Sequence, residues 1–124
     1  MSDIARVNPM GGKLSDAVVY NGLIYLAGQV ARRLDVGMKA QTEDILRQID
    51  ALLAKCGSDK SRILTATVYV NDMGIKPQMD EAWMAWVDQT NPPARATVEV
   101  QLGSPDTLVE IMCIAAREGV NRVA

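Results

Sequence analysis

The spacing of apolar and polar positions changes several times along the chain, and each change marks an element. Ala17-Val18-Val19-Tyr20 and Leu23-Ile24-Tyr25-Leu26-Ala27-Gly28 are apolar, β-branched and aromatic runs on either side of Asn21-Gly22. Asn-Gly is the favoured two-residue hairpin turn, because both central residues must accept positive φ. From Met38 to Cys56 the period lengthens. Met38, Ile45, Ile49, Leu52, Leu53 and Cys56 fall on one helical stripe, with Lys39, Glu43, Arg47, Asp50 and Lys55 off it. Gly57 is placed to close that helix, and residues 58–61 to turn the chain. Residues 63–70 read as a strand, with Thr65, Thr67 and Tyr69 alternating against Leu64, Ala66, Val68 and Val70. Pro77 sits near the start of a second helix, where its missing N–H costs little. That helix carries Met79, Ala82, Trp83, Trp86 and Val87 on one face and must stop before Asn91-Pro92-Pro93. Two strands follow, 94–100 and 108–116, on either side of a turn at Gly103-Ser104-Pro105-Asp106. Ahead of the first hairpin, residues 3–7 read as a short edge strand and 8–12 as a loop. Past Arg117 the tail is polar and reads as loose.

The order is a strand pair, helix, strand, helix, strand pair, which predicts an α+β fold of about six strands with two helices on one face. No linker, low-complexity segment or repeat divides the chain, so residues 1–124 read as one domain. Residues 23–27 and 108–116 are apolar on both strand faces, so the sheet face away from the helices also needs cover. In a chain of 124 residues the natural cover is another copy, which predicts a homo-oligomer.

Composition mostly excludes. With 13 basic and 15 acidic residues and no basic cluster, nucleic acid is a poor partner. No apolar run reaches the roughly 20 residues of a membrane span. The first residues lack the cationic and apolar blocks of a signal peptide, so the cytoplasm is the default location. Cys56 and Cys113 lie in apolar surroundings and read as free core thiols. Histidine is absent, which removes Ser-His-Asp and Cys-His nucleophile systems and His-ligated metals, and two distant cysteines make no zinc site. Any chemistry must come from carboxylates, arginine, backbone groups and water, with no metal or cofactor.

Two residues stand out against that background. Glu110 is the single carboxylate in an otherwise apolar run, an expensive position unless it is paired or hydrogen-bonded. Arg95 opens the preceding strand, directly after Pro92-Pro93-Ala94. If the two strands form a hairpin, it can place Arg95 opposite Glu110 on neighbouring strands; the sequence leaves the register open. A plain salt bridge explains them as well as catalysis does, and Glu99, which shares strand parity with Arg95, is an alternative partner. Gly28 reads as a bulge or strand end, Trp83 and Trp86 as core, and Gly11-Gly12 is too short for a phosphate loop.

Pro93-Ala94-Arg95-Ala96-Thr97-Val98-Glu99-Val100 followed by Leu108-Val109-Glu110-Ile111 resembles the signature of the RidA/YjgF family of imine deaminases. Ala27-Gly28-Gln29, the helix closed by Gly57, and Ala66-Thr67-Val68-Tyr69-Val70 ending in Asp72 extend the resemblance over nearly the whole chain. It implies a chorismate-mutase-like α+β domain, a homotrimer with clefts between subunits, and hydrolysis of 2-imino acids to 2-keto acids and ammonia. On that resemblance Arg95 grips the substrate carboxylate, Glu110 orients the attacking water and the Gly28 backbone faces the imine. Thr97 stands where the family usually has cysteine and keeps a backbone N–H for binding, and Leu14 stands where it often has tyrosine. Those two departures motivate the alternative of a non-catalytic trimeric protein that binds a small carboxylate.

Overall fold

The computed structural model describes residues 3–117. Its six strands are β1 (Ala5–Pro9), β2 (Ser15–Tyr20), β3 (Leu23–Leu26), β4 (Ile63–Val70), β5 (Ala94–Glu99) and β6 (Val109–Ala116). Two helices, α1 (Met38–Lys55) and α2 (Lys76–Trp86), lie between β3 and β4 and between β4 and β5. The strands form one mixed sheet in the order β1-β2-β3-β6-β4-β5. Only β4 and β5 run parallel, because α2 carries the chain back to the start of the sheet between them.

The β2–β3 hairpin turns at Asn21 and Gly22 with φ of 54° and 76°, as the Asn-Gly pair requires. Helix α1 ends in the two bonds of a glycine-closed terminus: Gly57 N–H donates to Ala54 O and Ser58 N–H to Leu53 O, with Gly57 at φ 78°. β1 runs two residues beyond the expected stretch, through Pro9; on an edge strand the missing N–H of proline can face away from the sheet. The polar tail expected after Arg117 lies outside the described residues.

One expectation is corrected. β5 and β6 are not a hairpin and not neighbours, since β4 lies between them. Residues 104–107 do form a turn, with Thr107 N–H donating to Ser104 O. The longer connection 100–108, however, carries the chain across the end of β4, where Val100 N–H bonds Val70 O and Asn71 N–H bonds Leu108 O. Burial decides the order. β6 alternates buried with partly buried or exposed residues and takes a central place, whereas no residue of β5 is fully buried and it takes the edge.

The core sits between sheet and helices: Ile45, Ile49 and Leu53 of α1 pack with Ala66, Val68, Val70, Val109, Ile111 and Cys113. Gln41, absent from the expected stripe, is also fully buried on α1. Its amide donates to Val36 O and Asp106 O, and its Oε1 accepts from Leu108 N–H at 3.0 Å. Gln41 thus ties α1 to the start of β6. Gln41→Leu would strand those buried backbone groups and should lower unfolding free energy by about 1–3 kcal/mol with an unchanged urea m-value. Equilibrium urea denaturation reads both.

On the other face of the sheet no described helix packs. Tyr25, Val98 and Met112 are 38–42 % exposed there, and Thr65, Thr67, Tyr69, Ile114 and Ala116 line up with them by register.

Candidate functional site

β3 leaves its ladder early. Tyr25 pairs with Ile114, and the next pairing is Gln29 with Ile111, four residue steps on one strand against three on the other. One extra residue makes a bulge, and Gln29 and Ile111 then exchange hydrogen bonds of 2.9 and 3.1 Å. The bulge brings the backbone of Gly28 under the side chain of Glu110. A methyl group added at Gly28 would overlap Glu110 Oε2 and lie 2.9 Å from its Cδ and 3.2 Å from its Cγ. Gly28 is not at positive φ, so a side chain here meets the close approach of Glu110 and no backbone strain.

Glu110 shares its row with Tyr69 and Val98, on the face that no described helix covers. Among the described residues its carboxylate has no hydrogen-bond donor or cation as partner. A half-buried acceptor of this kind is available to a water or a ligand.

Arg95 lies elsewhere. It pairs with Ala66, which pairs with Cys113, so its side chain belongs to the helix-covered face. There Arg95 Nη2 donates to Asp80 Oδ1 at 2.8 Å, Nη1 lies 3.8 Å from Met79 Sδ, and the guanidinium sits 5.1 Å from the centre of the Trp83 ring. Lys76 takes the other oxygen of Asp80 at 2.5 Å. Asp80 is held below its ordinary carboxylate value: burial pushes it up, but bonds from Lys76 and Arg95 and their positive charges outweigh burial. The expected partners are therefore corrected. Arg95 bonds neither Glu110 nor Glu99; Glu99 accepts from Met73 N–H at 2.7 Å.

Thr97 follows Arg95 on the same face, and its buried Oγ1 has no hydrogen-bond partner. Backbone N–H groups alternate sides along a strand. Since Val100 N–H points into β4, the N–H of Thr97 points to the free edge of the sheet, as a binding role requires.

Within one protomer, Arg95 and Glu110 cannot share a small substrate. They are offset by three residues along β4 and separated by two strand spacings. That amounts to about 10 Å along the strands and about 10 Å across them, and the two side chains point to opposite faces. Gly28 joins Glu110, and Thr97 joins Arg95, so the expected site divides into two halves. A cleft of about 480 Å³ between Asn71, Glu99 and the 100–105 loop contains neither half. A site divided in this way is not a cavity of a single chain.

The sequence reading missed Asp80. Its i,i+4 spacing from Lys76 signals an ion pair on α2, but nothing local signals that α2 lays this pair against Arg95. Trp83 is buried core as expected and also a platform for the guanidinium. Both cysteines are buried and free. Burial pushes the Cys113 thiol up to about 12, which leaves it unreactive. Among the described residues no group of His, Cys, Asp or Glu side chains could hold a metal ion, and no helix is long and apolar enough to cross a membrane.

Six mixed strands backed by two helices define the architecture, and solved YjgF-family structures share it. The crystal structure of a YjgF-family protein from Neisseria meningitidis superposes with a TM-score of 0.88 at 42% identity, covering 98% of both chains. Residues 5–117 match the family described as Endoribonuclease L-PSP. A RutC family protein of Haemophilus influenzae is 45% identical over 113 residues, 90% of this chain and 97% of its own. RutC family protein YoaB of Escherichia coli is 43% identical over 102 residues, 82% of this chain and 89% of its own. The chain belongs to the RidA/YjgF family.

Proposed function

We propose that this protein hydrolyses reactive 2-imino acids, such as 2-iminopropionate formed from 2-aminoacrylate, to 2-keto acids and ammonia. The observation that carries the reading is the unpartnered Glu110 carboxylate closed onto the Gly28 backbone. The family resemblance adds the roles of the individual residues.

The half-sites are joined by assembly. A second copy covering the apolar sheet face would bring its Arg95 edge to the Glu110 and Gly28 of the first, and three copies close the arrangement as a trimer. Light scattering should then give three times the 13.5 kDa chain mass. Met112→Asp, which sets charges into the middle of that face, should yield monomers without deaminase activity. A stable monomeric wild type with full activity would overturn the shared cleft.

In the joined cleft Arg95 binds the substrate carboxylate through charge-assisted N–H bonds, with the Thr97 N–H beside it. The protonated imine is already a strong electrophile. Glu110 accepts a proton from water as the water oxygen bonds to the imine carbon, and the C=N electron pair moves to nitrogen. Returned to nitrogen, that proton makes it a leaving group. Collapse of the carbinolamine forms the keto C=O, breaks the C–N bond and releases ammonia, which takes up the remaining proton as ammonium.

The family name Endoribonuclease L-PSP implies RNA cleavage. Our reading departs from it on charge. A backbone-tracking groove needs unpaired cations, whereas the cleft formed by Arg32, Arg33 and Arg47 holds Asp44 as well, and Asp35 and Asp44 already pair with two of the three guanidiniums. The deciding experiment is keto-acid and ammonia release from enzymatically generated 2-iminopropionate. Rates equal to the uncatalysed reaction would reject deaminase activity on this substrate. Keto-acid binding without such turnover would favour the non-catalytic reading.

A further inference from the structure

Arg95 is not a free surface arginine. One nitrogen is bonded to Asp80 Oδ1 at 2.8 Å, its Cζ lies 5.1 Å from the Trp83 ring centre, and only a fifth of its side chain is exposed, 21%. Asp80 is fixed in its turn, because Lys76, one helical turn earlier on α2, bonds its second oxygen at 2.5 Å. The two oxygens are therefore divided between two cations. Lys76 opens α2 with Pro77 directly after it, and the first turns of the helix present Lys76 and Asp80 to the edge strand.

We propose that Asp80 is a positioning residue, which with Lys76 behind it locks the Arg95 guanidinium against Trp83 so that its remaining N–H groups face the carboxylate of a 2-keto or 2-imino acid. The proposal rests on the reading of Arg95 as the carboxylate anchor. A free arginine side chain loses rotamer entropy when a ligand fixes it, and a guanidinium already held at one edge and one face loses little more on binding. Charge explains why Lys76 belongs to the device. Arg95 and Asp80 alone sum to zero and would attract no anion, whereas the group of three carries one net positive charge. Asp80 thus orients Arg95 without cancelling it.

A competing counter-ion would behave in the opposite way. If Asp80 merely occupied Arg95, its removal would free the guanidinium and tighten anion binding. The experiment is calorimetric titration of pyruvate into the full-length chain, comparing wild type with Asp80→Asn, Lys76→Met and Arg95→Ala. Positioning predicts about tenfold weaker binding for Asp80→Asn, severalfold weaker binding for Lys76→Met and no binding for Arg95→Ala. In the same Asp80→Asn sample, the separate Arg95 Nη signals of wild type should merge in ¹⁵N NMR while the backbone spectrum stays superposable. That is a change a merely structural ion pair would not confine to the guanidinium. If Asp80→Asn binds pyruvate as tightly as wild type or more tightly, the proposal is overturned and the anchor reading of Arg95 stands. If wild type neither binds pyruvate nor accelerates 2-iminopropionate hydrolysis, the anchor reading fails and the positioning role with it.

Discussion

Arg95→Ala should lower kcat/KM for 2-iminopropionate hydrolysis at least a hundredfold, while circular dichroism and oligomeric mass stay those of wild type. Each charge-assisted hydrogen bond to a carboxylate contributes about 1.5–3 kcal/mol, so losing two gives roughly 10²–10⁴ at 1.4 kcal/mol per decade. The loss should also abolish keto-acid binding, because orientation and attraction come from the same group. Removing Arg95 also deletes its bond to Asp80, where the carboxylate is a third exposed, 33%. That ion pair is near the surface and contributes about 1 kcal/mol at most, so a folded variant is expected. Arg95→Lys keeps the charge but loses the planar fork and the seat on Trp83, and should fall between the two. Coupled assays of keto-acid release, with thermal melts beside them, make the test. An Arg95→Ala variant with wild-type turnover would remove Arg95 from the site.

The chain shows unequally how far local pattern reaches. The Asn21-Gly22 hairpin, the α1 stripe and its Gly57 end, and α2 from Pro77 are legible because each is fixed by residues within a few positions of one another. The placement of β6 is not local. Gly103-Ser104-Pro105-Asp106 looks like a hairpin turn, yet β6 enters the sheet between β3 and β4. The signal that favours this was present. Residues 108–116 are apolar on both faces, as a central strand must be, whereas Arg95, Thr97 and Glu99 alternate along β5 as an edge strand allows. The candidate site followed the same division. Arg95, Glu110, Gly28 and Thr97 could be named from the sequence and the family signature. Their separation onto two faces required the register, and Asp80 required the tertiary contact between α2 and β5.

Gly28→Ala should reduce turnover at least tenfold with little loss of stability, and that contrast distinguishes a functional close approach from a structural one. The added methyl meets the end of a flexible carboxylate, not backbone, so Glu110 can rotate away without unpacking its neighbours. The strain on folding is then expected within about 1–2 kcal/mol, the lower part of the overpacking range. Catalysis has no such freedom, because a positioned general base contributes about 10²–10⁴ and does so only from within hydrogen-bond reach of the water. Glu110→Gln removes the basicity with nearly the same shape. It should therefore cost about a hundredfold or more in kcat while leaving KM and keto-acid affinity near wild type, since the carboxylate anchor is Arg95 in the other half of the cleft. The two substitutions act through one group and should not add. In Gly28→Ala/Glu110→Gln the rate should match Glu110→Gln alone, a coupling a double-mutant cycle measures directly. Additive losses would mean that Gly28 acts on the substrate independently of Glu110. A Gly28→Ala variant with full activity would mean that the carboxylate works equally well away from the bulge, and the seat of Glu110 on Gly28 would then have no part in catalysis.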